Sequence, residues 1–155
     1  NVIVLRTFSK AFGVPSIRAG YTLSNKENMS IISKARIAHE LSSVSIAVAE
    51  YLLDNYSIVR KNCNLIKKSR KITKTALSKI GLKCRSEFGN YVLIKFQNSS
   101  EAIKVVKFLR KKFIYVKGPY SKPWSNYINI SLGPPVLMNR FLKEIKNAKE
   151  KKIFI

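Results

Sequence analysis

Apolar positions are arranged in two ways along this chain. At the start, Val2, Ile3, Val4 and Leu5 follow one another without a polar break. A continuous apolar, mostly β-branched run of this length predicts a buried strand over residues 2–5, of the kind found in parallel sheets. A second short strand is expected over residues 19–23, after a loop containing Gly13 and Pro15. Ser24, Asn25, Lys26 and Glu27 then read as a helix start, a capping residue followed by an acid in the first turn.

From about residue 28 to residue 80 the pattern turns helical, with breaks expected over 38–43 and 55–57. Val59, Cys63, Ile66, Thr73, Leu77 and Ile80 recur at spacings of three, four and seven. Arg60, Lys61, Lys67, Lys68, Arg70, Lys71 and Lys74 fall mostly off that stripe, as on a solvated helix face. Gly81 is placed to end the helix. Beyond it the chain changes character. Strands are expected over 91–96, 113–116 and 127–132. Amphipathic helices are expected over 99–112, capped by Ser99 or Ser100, and over 134–151, with proline in the first turn. The expected order of strand, helix, strand, strand and helix is a compact α+β unit. The division is therefore placed within 78–88, giving domains over residues 1–80 and 81–155.

Composition narrows this picture only a little. Lys and Arg number 30 against 8 Asp and Glu, a formal net charge of +22. Such a charge attracts polyanions at low salt. The cations are nevertheless spread along the chain, without an Arg-rich arm or a recognisable binding module, so no specific nucleic-acid partner is expected. Cys63 and Cys84 are too few for a disulfide framework or a zinc site. No apolar run approaches the roughly 20 residues that span a bilayer. No membrane partner and no metal are expected, and a cytoplasmic setting is. The abrupt opening on Asn-Val-Ile-Val-Leu leads us to expect further chain upstream.

The residues that follow the first strand carry the chemistry. The segment TFSKAFGVPSIRAGY, residues 7–21, holds Lys10 between Phe8 and Phe12. A lysine at a buried strand end, walled by two aromatic rings, is expected to be partly desolvated, which favours its neutral and nucleophilic form. Such an amine can bond an aldehyde, and pyridoxal 5′-phosphate is the aldehyde cofactor to consider. Its phosphate needs hydroxyl donors and a cation at a fixed distance from the lysine. Thr7 and Ser9 supply the hydroxyls, and Arg18 supplies a guanidinium eight residues after Lys10.

Taken together, the strand, Thr-Phe-Ser-Lys-Ala-Phe-Gly, the later arginine and Ala-Gly-Tyr resemble the lysine segment of fold type I pyridoxal-phosphate enzymes, most closely the histidinol-phosphate aminotransferase family. RIAHELSSVSIAVAEYLLDN, GNYVLIKF and YINISLGPPVLMNRFLKEI also resemble that family, so the likeness covers nearly the whole chain. It implies an α/β fold: the C-terminal part of a large cofactor domain, with a parallel-sheet remnant and long helices, then a small α+β domain. It implies an aminotransferase acting between an amino compound and a 2-oxo acid, and a homodimer in the complete enzyme. Lys10 is then the catalytic and cofactor-bonding amine, and Thr7, Ser9 and Arg18 hold the phosphate. Asn90 lies where the family keeps an Asn near the substrate, and Tyr21 is structural.

Two positions depart from the family pattern. Asn129 stands where the family usually has an arginine that grips the substrate's acidic group. An amide cannot neutralise a carboxylate. Lys117 and Lys122 lie nearby in sequence and either substitute for the lost charge or are solvated. Glu40 stands where the family often has Asn, and a carboxylate there suits a cationic or polyhydroxyl group and repels an anion. His39 beside it is an incidental polar residue. Both departures turn the expectation away from histidinol phosphate. The family's upstream Asp, which pairs with the pyridine nitrogen, is not among these residues, so the chain by itself is expected to be inactive. Two alternatives stand behind this reading: a decarboxylase of a phosphorylated amino acid, and a basic, non-catalytic nucleic-acid-binding module.

Overall fold

The computed structural model describes residues 2–37 and 40–155, and the expectations for Ala38 and His39 lie outside them. Two compact units divide the chain, Asn1–Cys63 and Asn64–Ile155.

In the first unit, β1 (Val4–Thr7) pairs antiparallel with β2 (Gly20–Leu23), in the register Val4–Leu23 to Thr7–Gly20. The strand expected over 2–5 is thus displaced by two residues. Its partner among the described residues runs antiparallel rather than parallel. Nor is it buried here: Val2 is 71% and Leu5 75% exposed. The apolar run is real, but β2 satisfies one edge of β1 and leaves its faces open. Between the strands a single 3₁₀ turn, Pro15–Ile17, interrupts the loop. Helix α1 (Lys26–Ser33) starts where Asn25 Oδ1 accepts the Asn28 N–H at 2.9 Å, with Glu27 in the first turn. Helix α2 (Ser43–Asp54) is capped in the same way by Ser42, whose Oγ accepts the Ser45 N–H at 3.1 Å. The long helix α3 (Tyr56–Lys79) follows.

The division between the units falls inside α3, earlier than residue 80, because the second half of the helix shares the core that follows it. Leu77 is completely buried in that core, with Ile66 and Ile80 packed against it. The stripe of apolar positions read from the sequence is what places it there. Gly81, at φ +79, ends the helix in a left-handed conformation that costs glycine little.

The second unit is a three-stranded antiparallel sheet in the order β3 (Lys83–Arg85), β4 (Tyr91–Lys95), β5 (Tyr127–Ser131). Helices α4 (Ser99–Lys111) and α5 (Pro135–Glu150) contribute to its core. Alternation along the strands decides the two faces. Val92, Ile94, Ile128 and Ile130 turn inward to meet Val105 and Leu109 of α4 and Phe141 and Ile145 of α5. Each such side chain contributes about 1.5–3 kcal/mol when fully buried. The opposite face carries Lys83, Arg85, Leu93, Lys95, Tyr127 and Asn129, assigned by strand alternation and register.

Three details differ from the sequence expectation. β3 was not anticipated, since Lys83, Cys84 and Arg85 are too short and too charged to stand out. Residues 113–116 form no strand; only Lys117 pairs, in an isolated bridge with Asn129. The cap of α4 is Asn98 rather than Ser99 or Ser100: its Oδ1 accepts the Glu101 N–H at 3.0 Å. Glu101 in turn accepts the Gln97 N–H at 3.0 Å, a reciprocal arrangement that satisfies two otherwise unpaired donors.

Candidate functional site

Pairing of Thr7 with Gly20 closes a hairpin whose connection runs over residues 8–19. Thr7, Ser9, Lys10 and Arg18 therefore all lie on that connection or at its base. Its backbone is tied across its width. The Phe8 N–H donates to Ala19 O at 3.2 Å, the Val14 N–H to Phe8 O at 3.2 Å, and the Gly13 N–H to Lys10 O at 3.0 Å. The last of these is a tight turn directly after the lysine. Gly13 has φ +78, a conformation that strains any residue with a Cβ.

The hydroxyl of Thr7 accepts the Ser9 N–H at 3.1 Å, fixing the two hydroxyl residues to one another. Arg18 is left-handed at φ 51, which costs a non-glycine residue about 1–2 kcal/mol. Two bonds to Pro15 O offset that cost: the Arg18 backbone N–H at 3.4 Å and its Nη1 at 2.9 Å. The other guanidinium donors are left for an anion. Strain held by specific bonds at a charged loop residue is a common mark of a binding site.

Lys10 is exposed, contrary to the desolvation expected for it. The aromatic residues beside it pack on other rings instead of covering the amine. Phe8, only 3% exposed, lies 4.4 Å from Phe12 and 5.9 Å from Tyr21, ring centre to ring centre. Phe12 meets Tyr56 of α3 edge-on at 6.1 Å. Tyr21 thus belongs to this ring cluster, in edge-on contact with Phe8. The rings set the path of the loop, and the lysine projects from it within reach of an incoming aldehyde.

One further contact has no local signal in the sequence. Asn62 of α3 donates its Nδ2 to Ala11 O at 2.8 Å, holding the residue after Lys10 from 51 positions away.

Two hydroxyls, a guanidinium and an ammonium on one connection, with no carboxylate between residues 7 and 18, form a donor set that fits a phosphate ester carrying an aldehyde. Residues 1–145 match the family of class I and II aminotransferases. The chain belongs to that family. It is 33% identical over 135 residues to the histidinol-phosphate aminotransferase of Ruminiclostridium cellulolyticum, covering 86% of this chain and 37% of that protein. It is 28% identical over 151 residues to histidinol-phosphate aminotransferase 1 of Idiomarina loihiensis, covering 96% and 40%. The solved histidinol-phosphate aminotransferase of Sinorhizobium meliloti, in complex with pyridoxal 5′-phosphate, superposes with a TM-score of 0.83 at 27% identity, covering 95% of this chain and 42% of that one. The chain thus spans about two fifths of the length of these relatives.

The remaining candidates fall in different parts of this family member. Glu40, in the first unit, is held by Arg36, whose Nε lies 3.1 Å from its Oε2. The pair lies at the surface, with the two side chains 68% and 37% exposed. In the second unit, Asn90 accepts the Leu132 N–H on its backbone oxygen at 2.6 Å, extending the pairing of β4 with β5. Lys117 and Asn129 are bridge partners, whereas Lys122 is exposed and unpaired in the sheet. Among the described residues no group of three or more His, Cys, Asp or Glu is placed to hold a metal ion, and no helix is long and apolar enough to cross a membrane.

Proposed function

We propose that the complete gene product carrying this chain is a pyridoxal-phosphate-dependent aminotransferase, with Lys10 as its catalytic amine. The observation that carries this reading is the Thr7–Gly20 closure, which gathers Thr7, Ser9, Lys10 and Arg18 on one carboxylate-free connection. Pyridoxal phosphate, when bound, supplies an aldehyde and an electron sink for bonds at the substrate's α carbon.

This chain's own residues do the rest. Thr7 and Ser9 offer hydroxyl donors to the phosphate and Arg18 offers charge-assisted ones. Thr7 and Ser9 are tied to one another, and Arg18 separately to Pro15 O, on the connection that carries Lys10. With the cofactor held, Lys10 would supply the amine that takes the proton from the substrate's α carbon. The substrates are an amino donor and a 2-oxo acid, and the working form is a homodimer. Within the second unit, Asn129, Lys117 and Asn90 are the residues proposed to bind a carboxylate, with the Lys117 charge standing in for the one Asn129 lacks. Glu40, paired at the surface with Arg36, is the carboxylate proposed to favour a cationic or polyhydroxyl group.

The test is purification of the complete gene product with pyridoxal phosphate. A yellow protein is expected, and borohydride should fix the cofactor to the peptide containing Lys10. Oxo-acid formation from amino acids should then be measured beside carbon dioxide release. A colourless protein that takes up no cofactor overturns the reading, and carbon dioxide without oxo acid replaces transamination by decarboxylation.

A further inference from the structure

We infer that Asn62 is a positioning residue that sets where the Lys10 amine stands. The inference rests on the cofactor reading above. Two residues of α3, Tyr56 and Asn62, contact the lysine loop, on either side of the buried Val59 in sequence. Tyr56 meets the Phe12 ring edge-on, Val59 is 2% exposed, and Asn62 reaches the Ala11 carbonyl at 2.8 Å. The backbone at Gly13 also lies against this amide, since a Cβ built there would stand 3.6 Å from Asn62 Nδ2.

The two carbonyls that follow the Lys10 α carbon, those of Lys10 and Ala11, are both held. Lys10 O accepts the Gly13 N–H within the loop, and Ala11 O accepts the Asn62 amide from outside it. The first bond shapes the turn, while only the second anchors it to a helix. The hydroxyls and Arg18 are tied by other bonds: Ser9 N–H to Thr7 Oγ1, and Arg18 to Pro15 O. Loss of the Asn62 amide thus loosens the lysine without releasing the phosphate-holding residues. A long amine that must bond a ring anchored elsewhere depends on where its own backbone is held.

The variants are Asn62→Asp, which keeps the shape but replaces the donor with an acceptor, and Asn62→Ala, which removes the contact. Lys61→Ala, one exposed position away, is the control. Each is made in the complete gene product and titrated with two probes: pyridoxal phosphate, and pyridoxine phosphate, which has an alcohol in place of the aldehyde. Both Asn62 variants should bind pyridoxal phosphate about five- to ten-fold more weakly, the fold-change for one lost hydrogen bond, with pyridoxine phosphate unchanged. Equal weakening of both probes assigns Asn62 a merely structural role and overturns the inference, as does wild-type affinity for both. Should the Asp variant fail to fold, the Ala variant decides by the same comparison. Absence of binding of either probe to the unaltered protein overturns the cofactor reading itself, a result distinct from failure of the Asn62 variants alone.

Discussion

Asn129 and Lys117 face each other across an antiparallel bridge: the Lys117 N–H donates to Asn129 O at 2.9 Å and the Asn129 N–H to Lys117 O at 2.7 Å. Residues that exchange both bonds put their side chains on the same face of a sheet. That face lies opposite the inward-turned Ile128 and Ile130. The register continues the row through Leu93 to Arg85, so an amide and a cation sit side by side on it. Two residues twelve apart in sequence become an adjacent pair that neither strand pattern revealed.

This pairing predicts that a positive charge at either position can serve in place of the other. Replacing Lys117 by Met should raise KM for the carboxylate substrate about 10- to 100-fold, as expected for loss of a charged hydrogen bond, with a smaller effect on kcat. Adding Asn129→Arg to that variant should recover most of the loss, because the charge returns to the same face. Steady-state kinetics on the complete gene product checks both. An unchanged KM in the Lys117 variant removes this lysine from the acid-binding role.

A second expectation concerns Gly20, whose missing side chain lets the hairpin close. A Cβ at this position would stand 2.7 Å from Arg6 O, and that atom belongs to backbone and cannot swing aside. Gly20→Ala should force β1 and β2 apart where Thr7 and Gly20 pair. The cost is about 1–3 kcal/mol, typical of overpacking. Weaker retention of pyridoxal phosphate should accompany the lower melting temperature, since the same closure positions Thr7 and Arg18.

How far these features were legible depends on how local their causes are. Strand β4 and helix α5 follow from alternation and from proline at a first turn, signals contained within the segments themselves. The Lys10 segment was readable because its residues lie within one loop. The exposure of Lys10 was not, because burial depends on what covers a residue and the flanking rings found partners in Tyr21 and Tyr56. The Asn62 contact had no local sign at all, since a single amide on a basic helix resembles any solvated residue. The Lys117 bridge lies just beyond an expected strand over 113–116 that does not form. Tertiary pairing rather than strand propensity sets that position.

Helix α3 contains two hydroxyls that the fold buries without pairing. Ser69 and Thr73 are fully buried and neither side-chain oxygen has a hydrogen-bond partner. Removing an unpaired buried hydroxyl recovers its desolvation cost. Thr73→Val, close in shape, should stabilise the second unit by about 1 kcal/mol, and Ser69→Ala by a similar or smaller amount. Denaturant unfolding gives the comparison. Destabilisation by Thr73→Val would mean that the hydroxyl has a partner in the complete protein.

The final prediction is a pH dependence set by Cys84. Its thiol lies on the inward face of β3, paired in register with Ile94, and packs against the core. Burial raises its pKa above the usual 9.0, and the Lys74 charge opposes this with a smaller effect. In the unfolded chain the thiol loses its proton near its usual value, while in the folded chain it still holds it. The unfolded state therefore binds fewer protons as pH climbs beyond 9.0, and stability falls with rising pH until the folded thiol also ionises. Below that window the contribution is fully present. Cys84→Ala should flatten this alkaline slope, whatever its effect at neutral pH. Unfolding curves collected from pH 8 upward on both proteins measure it, and parallel slopes would show that Cys84 does not set the dependence.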